Sequence, residues 1–162
     1  MNKIILTVFL QLAILSLLFR DALGGTFILK DIRPCENGDI SQIKEVRVTP
    51  CDKEPCKIPK RSSVLMEVDF IANQNSTKPK LSIEAKITDV YLPFPNLKPD
   101  GCNGKNLQCP LLKGKSYTFQ YNLEVLPYYP TITALAKWNL TGDDEKDIFC
   151  FLAPVSIEPA QS

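Results

Sequence analysis

Leu81-Ser82-Ile83-Glu84-Ala85-Lys86-Ile87-Thr88 alternates apolar and polar residues, and after Asp89 the chain changes character to Val90-Tyr91-Leu92-Pro93-Phe94-Pro95. The first half is the period-two pattern of a half-buried strand. The second is strongly apolar yet proline-rich, and Pro99-Asp100-Gly101-Cys102 follows it. Proline removes a backbone donor and fixes φ, so this half cannot be a central strand. A solvated loop would be polar. A proline-stiffened apolar segment held at its end by a cysteine reads as a rigid lip on a greasy opening. The plainer alternative is a well-packed strand end capped by a turn.

The same alternation recurs on both sides. Phe27-Ile28-Leu29 begins an apolar strand, and Asp31 to Asn37, with Pro34, reads as a loop. Ile43 to Val48 alternates. Val64, Met66, Val68 and Phe70 fall at period two, with Glu67 and Asp69 facing the other way. Tyr117, Phe119, Tyr121, Leu123 and Val125 repeat the pattern, as do Ile132, Ala134, Ala136 and Trp138, and Ile148 to Ile157 is a last apolar strand. Turn signals separate these runs, and no segment has a convincing 3.6-residue period. About seven evenly spaced strands predict an all-β protein, an immunoglobulin-like sandwich of two antiparallel sheets. Ala85, Ala134 and Ala136 fall on inward faces among aromatics. Either large residues opposite fill the space, or the alanines widen a gap between the sheets; ordinary interdigitation is the simpler expectation.

The N-terminus reads as a targeting segment. A short basic start, an apolar run from Ile4 to Phe19 and the small residues Ala22-Leu23-Gly24 make a secretory signal peptide, cleaved after Gly24. The run is short for a membrane anchor. Residues 25–162 then form one domain. The whole chain has 19 basic and 18 acidic residues; without Lys3, Arg20 and Asp21, 17 of each remain. No basic block or aromatic-basic interleaving points to nucleic acid.

All six cysteines lie in the mature part, which in an exported chain reads as three disulfides with 15 possible pairings. Cys51-Asp-Lys-Glu-Pro-Cys56 and the span Cys102 to Cys109 look like short loop clips, with Cys35 and Cys150 left near the domain ends. That long closure would contribute roughly 4–5 kcal/mol in the chain-entropy model. Zinc is the rival reading, but the spacings are not C-x2-C. The chain has no histidine, which excludes Ser-His-Asp and Cys-His catalysis and removes the commonest metal ligand. Asp143-Asp144-Glu145 lacks the ligand spacing of a calcium loop and reads as a solvated turn. No motif supports a paired-carboxylate hydrolase. Two glycosylation sequons begin at Asn75 and Asn139.

Ile43-Lys44-Glu45-Val46, Pro50-Cys51, Pro55-Cys56, Pro93-Phe94-Pro95, Pro99-Asp100-Gly101-Cys102, Cys109-Pro110, Lys113 to Tyr117, Tyr129-Pro130, Trp138 and Phe149-Cys150 recur in one order along the chain. On these points the mature chain resembles the lipid-recognition (ML) domain family, and within it the Niemann-Pick type C2 proteins of arthropods. Ala72 to Asn75 and Cys109 to Gly114 also resemble mite group 2 allergens. The resemblance implies a sandwich whose sheets splay to hold one lipid, and disulfides Cys35–Cys150, Cys51–Cys56 and Cys102–Cys109. It implies a secreted or lysosomal-lumen monomer that binds and transfers a sterol, without enzymatic activity or cofactor, and hands it to a membrane sterol transporter of the lysosome. Carriage of fatty acids or small apolar signals, or recognition of microbial lipids, are the alternatives it leaves. The positions matching the family's pocket are Leu92, Phe94, Val125, Tyr129, Pro130 and Trp138, with Phe151 where the family has tryptophan. Phe151 and Val90-Tyr91 depart from the family pattern and are expected to reshape the pocket wall; Asp31 to Cys35 also differs.

Overall fold

The computed structural model describes residues 24–36 and 38–161. Apart from Gly24, the expected signal segment therefore lies outside the described residues, as does Asn37. Ten strands, numbered in chain order, build two sheets among the described residues. One has the order β1 (Phe27–Ile28), β3 (Ile43–Thr49), β5 (Ser62–Ile71), β8 (Ser116–Val125), antiparallel throughout. The other runs β2 (Arg33–Pro34), β10 (Asp147–Glu158), β9 (Ile132–Thr141), β6 (Lys80–Ile87), β7 (Val90–Pro93). β4 (Cys56–Pro59) lies beside the end of β10.

All seven expected strands are present, packed as an immunoglobulin-like sandwich. The three others are short edge pieces that alternation cannot reveal. β2 falls inside the stretch read as loop; its Pro34 sits at a sheet edge, where a missing donor is tolerated. β7, the first half of the proline-rich segment, is likewise an edge strand. β4 is the one departure from antiparallel pairing, since Val155 to Glu158 run parallel to Cys56 to Pro59. The Cys51–Cys56 clip after β3 turns the chain across to the other sheet, and Arg61, at φ 64°, turns it back into β5.

The inward residues explain why the sheets close at one end. Val46, Val68, Phe70 and Phe119 meet Leu81, Leu140 and Phe149 with almost no exposure. Phe149 packs edge-on against Phe70 and Phe119, with centroids 5.2 and 5.7 Å away, the geometry aromatic quadrupoles favour. On the outer face of the four-stranded sheet, Arg47 binds Glu45, Glu67 and Asp69, so the acidic members of β5 do face away from the core. The disulfides are Cys35–Cys150, Cys51–Cys56 and Cys102–Cys109, as the resemblance implied.

Candidate functional site

The register of the larger sheet shows where the sandwich stops being solid. Leu81, Leu140 and Phe149 lie side by side in one row, and Ile83, Trp138 and Phe151 in the next. The row after that reads Leu92, Ala85, Ala136, Ala153. Side-chain bulk thus falls abruptly from one row to the next. Facing sheets stand about 10 Å apart and need large residues to fill the space. Three adjacent alanines cannot reach across, and a cavity of about 330 Å³ opens beneath them. That size lies at the lower end of the range for small-molecule sites. Ala85, Ala134 and Ala136 therefore widen the gap; the interdigitation expected from sequence does not occur there.

Opposite the alanines, Val48, Val64, Met66 and Leu123 form the second wall, and Ile58 of β4 contributes at the side. The opening is flanked by Leu92-Pro93-Phe94-Pro95 and by Tyr128-Tyr129-Pro130. Phe94 N donates to Ile83 O at 2.8 Å, pinning the lip to β6 just beyond β7. The Phe94 ring meets Tyr129 edge-on at 5.5 Å, and Tyr129 meets Tyr128 at 5.2 Å. Leu92 and Tyr128 are 48% and 66% exposed, so large apolar groups stand in water around the opening.

The structure brings Leu92, Phe94, Tyr129, Pro130 and Trp138 together on this cavity. It does not bring Val125 or Phe151 there. Val125 is fully buried at the end of β8, paired with Ser62 beyond the Leu123–Val64 pair that borders the lumen. Phe151 sits one row below the alanines, its centroid 6.1 Å from that of Phe149 in the solid core. Tyr91 takes the outer face of the sheet, under Lys86 at 5.6 Å and Lys137 at 5.1 Å. Neither departure from the family pattern therefore alters the wall. Sequence reasoning missed Ala153, Val155 and Ile157, which continue the inward parity of Phe151 and were readable from it. Ile58, on a four-residue strand, offered no such signal.

The wall is almost wholly apolar. Its one charged residue among those described, Glu84, is paired with Lys137 Nζ at 2.9 Å. Two wall residues carry buried polar atoms without a hydrogen-bond partner among the described residues: Tyr129 Oη and Trp138 Nε1. Burial, with Tyr128 and Tyr121 close by, pushes the Tyr129 phenol above its ordinary pKa. Such a chamber gains its grip by desolvating an apolar body, with few polar groups to orient it.

The opposite end of the sandwich is polar and locked. Asp143 accepts from Thr77 N and Oγ1, both at 2.7 Å, and from Ser76 Oγ and Lys78 N, both at 2.9 Å. These bonds, Thr77 N–H first, hold its carboxyl well below the usual carboxylate range. The acidic turn is thus an anchor for the loop between β5 and β6 as well as a solvated turn. Asn75, in that loop, is exposed, and its Oδ1 accepts from Lys113 N at 2.8 Å. Asn139 lies half-buried in β9, its Oδ1 accepting from Thr141 Oγ1 at 3.3 Å.

Comparison with known proteins places this geometry. Residues 30–157 match the family model of the ML domain. A dog protein named NPC intracellular cholesterol transporter 2 is 36% identical over 135 residues, covering 83% of this chain and 87% of its own. The fruit-fly protein NPC intracellular cholesterol transporter 2 homolog a is 34% identical, covering 70% of this chain and 78% of its own. A Niemann-Pick type C2 protein from the Japanese carpenter ant has the same fold, with a TM-score of 0.72 at 20% identity over 80% of this chain and 100% of the ant chain.

Proposed function

This chain belongs to the ML-domain family, and from that premise we propose that it is a sterol carrier that holds one sterol between its two sheets and transfers it between membranes. The observation that carries the reading is the row Ala85–Ala136–Ala153, which leaves an apolar chamber in place of core. The relatives, named as cholesterol transporters, supply the ligand class. A sterol of about 28 heavy atoms, at about 0.3 kcal/mol per atom, binds with roughly 8 kcal/mol, or about micromolar affinity. That suits a shuttle, which must also release its load. No covalent chemistry is needed. The protein acts as a monomer after removal of residues 1–24, outside the cell or in the lysosome lumen, and passes its sterol to a membrane transporter there. Leu92, Phe94, Tyr129, Pro130 and Trp138 contact the sterol.

The test is native mass spectrometry of the purified protein, followed by extraction and identification of the bound lipid. Sterol near one per chain supports the reading. Fatty acid in its place, or a protein that arrives empty and also refuses a fluorescent sterol, overturns it.

A further inference from the structure

An apolar chamber should have no use for unpaired polar atoms, yet two of its wall residues carry them. Trp138 is 3% exposed, and Nε1, which can only donate, has no acceptor. Tyr129 Oη is buried at the opening and has no partner either. Buried donors left unpaired are rare and costly, and each calls for a missing partner. Trp138 packs against Tyr121, and Tyr129 against Phe94 and Tyr128. The Tyr121 ring is 6.2 Å from that of Trp138. On the same Tyr121 ring rests Lys105 Nζ, 4.9 Å from the centroid, on a lysine only 6% exposed that donates to Asn103 O. The chamber thus carries two unpaired polar atoms on its lining residues, and its lining offers few acceptors.

We propose that the ligand of this cavity buries a hydrogen-bond-accepting oxygen against Trp138 Nε1 and Tyr129 Oη. The inference rests on the carrier reading and deepens it: the oxygen is paired with protein donors instead of being left to water. A sterol hydroxyl and a lipid carboxylate share that chemistry. The rival account of Trp138 is an N–H resting on the Tyr121 ring, a weaker contact that asks nothing of a ligand.

The chain contains a single tryptophan, so ¹⁵N-labelled protein gives one indole cross-peak. Four probes are titrated: cholesterol, cholest-5-ene, hexadecanoic acid and hexadecane. Oxygenated probes are expected to move the indole proton downfield and the hydrocarbons to leave it in place. Whichever oxygenated probe moves it further identifies the source. In parallel, displacement of a fluorescent sterol is measured for Trp138→Phe and Tyr129→Phe; the second removes only a hydroxyl. Both side chains also touch the ligand body, so each variant is read as a difference: the oxygenated probe is expected to lose about five- to tenfold more affinity than its hydrocarbon counterpart. An indole peak already upfield that no probe moves, with equal losses for both probe types, overturns the inference while the carrier reading stands. If nothing displaces the fluorescent sterol because it never binds, the carrier reading falls; an unmoved indole peak in that same protein sinks the inference with it.

Discussion

Replacing Ala136 by leucine distinguishes a chamber from a core by the sign of one number. Ala136 lies in the middle of the alanine row, on β9, flanked by Ala85 and Ala153. Leucine adds three carbon groups. At about 0.8 kcal/mol each, their burial contributes about 2.4 kcal/mol. Fixing the new rotamer costs about 0.5–1 kcal/mol, leaving a gain of about 1.5–2 kcal/mol for the empty protein. At about 3 °C per kcal/mol for a domain of this size, Tm rises by about 5 °C. The same three groups occupy space the ligand needs, so sterol affinity falls by between about ten- and sixtyfold. The assay is thermal unfolding of delipidated protein beside a fluorescent-sterol titration. If the space beneath Ala136 were ordinary core, leucine would overpack it at a cost of about 1–3 kcal/mol and Tm would fall. A lowered Tm would refute the cavity argument, whatever became of binding.

Three further outcomes are expected. Phe94→Ala removes the half-buried ring that meets Tyr129 at 5.5 Å, and should weaken sterol binding about tenfold while Tm drops only a few degrees, measured by the same pair of assays; unchanged affinity would take the lip out of the site. Asp143→Ala should lower Tm and expose the loop of residues 72–79 to proteolysis while sterol affinity holds, because the anchor sits at the end remote from the opening; lost affinity would contradict that separation. Stability should be flat between pH 7.5 and 5 and fall only below about pH 4. The chain has no histidine, and the resolved carboxylate shifts, at Asp39, Asp69, Asp100 and Asp143, are all downward. Carboxyls with folded pKa values below their unfolded ones stabilise above the unfolded value and lose that contribution as pH falls through the folded one. A Tm transition near pH 6 would show that some other group governs the fold.

Alternation at period two made the long strands legible, because a buried face against a wet face writes itself into every second residue. It could not reveal β2 or β4, where two and four residues are too few to form a pattern. The opening was legible in Pro93-Phe94-Pro95, a segment too apolar for a loop and too proline-rich for a central strand. The chamber was not. Ala85 and Ala136 read as small residues in either account, and only cross-strand register sets them beside Ala153. Register is a tertiary property, and it also decides the two positions that the family resemblance misplaced: Val125 lies in a row beyond the lumen, and Phe151, though in the row of Ile83 and Trp138, packs toward Phe149 instead. The Asp143 anchor was invisible for a related reason: its partners, Ser76 to Lys78, are more than sixty positions away.

The alanine row also sets how the protein answers hydrostatic pressure. A cavity of about 330 Å³ corresponds to about 200 mL per mole of chain, and the shrinkage on unfolding, roughly 20–100 mL/mol for ordinary domains, grows with such internal space. Whatever part of that apolar space water does not fill is surrendered when the chain unfolds. Compression should therefore unfold the empty protein early and spare the loaded one, whose void is already filled. Pressure, which leaves composition and pH untouched, thereby becomes a gauge of how much of a sample is carrying cargo.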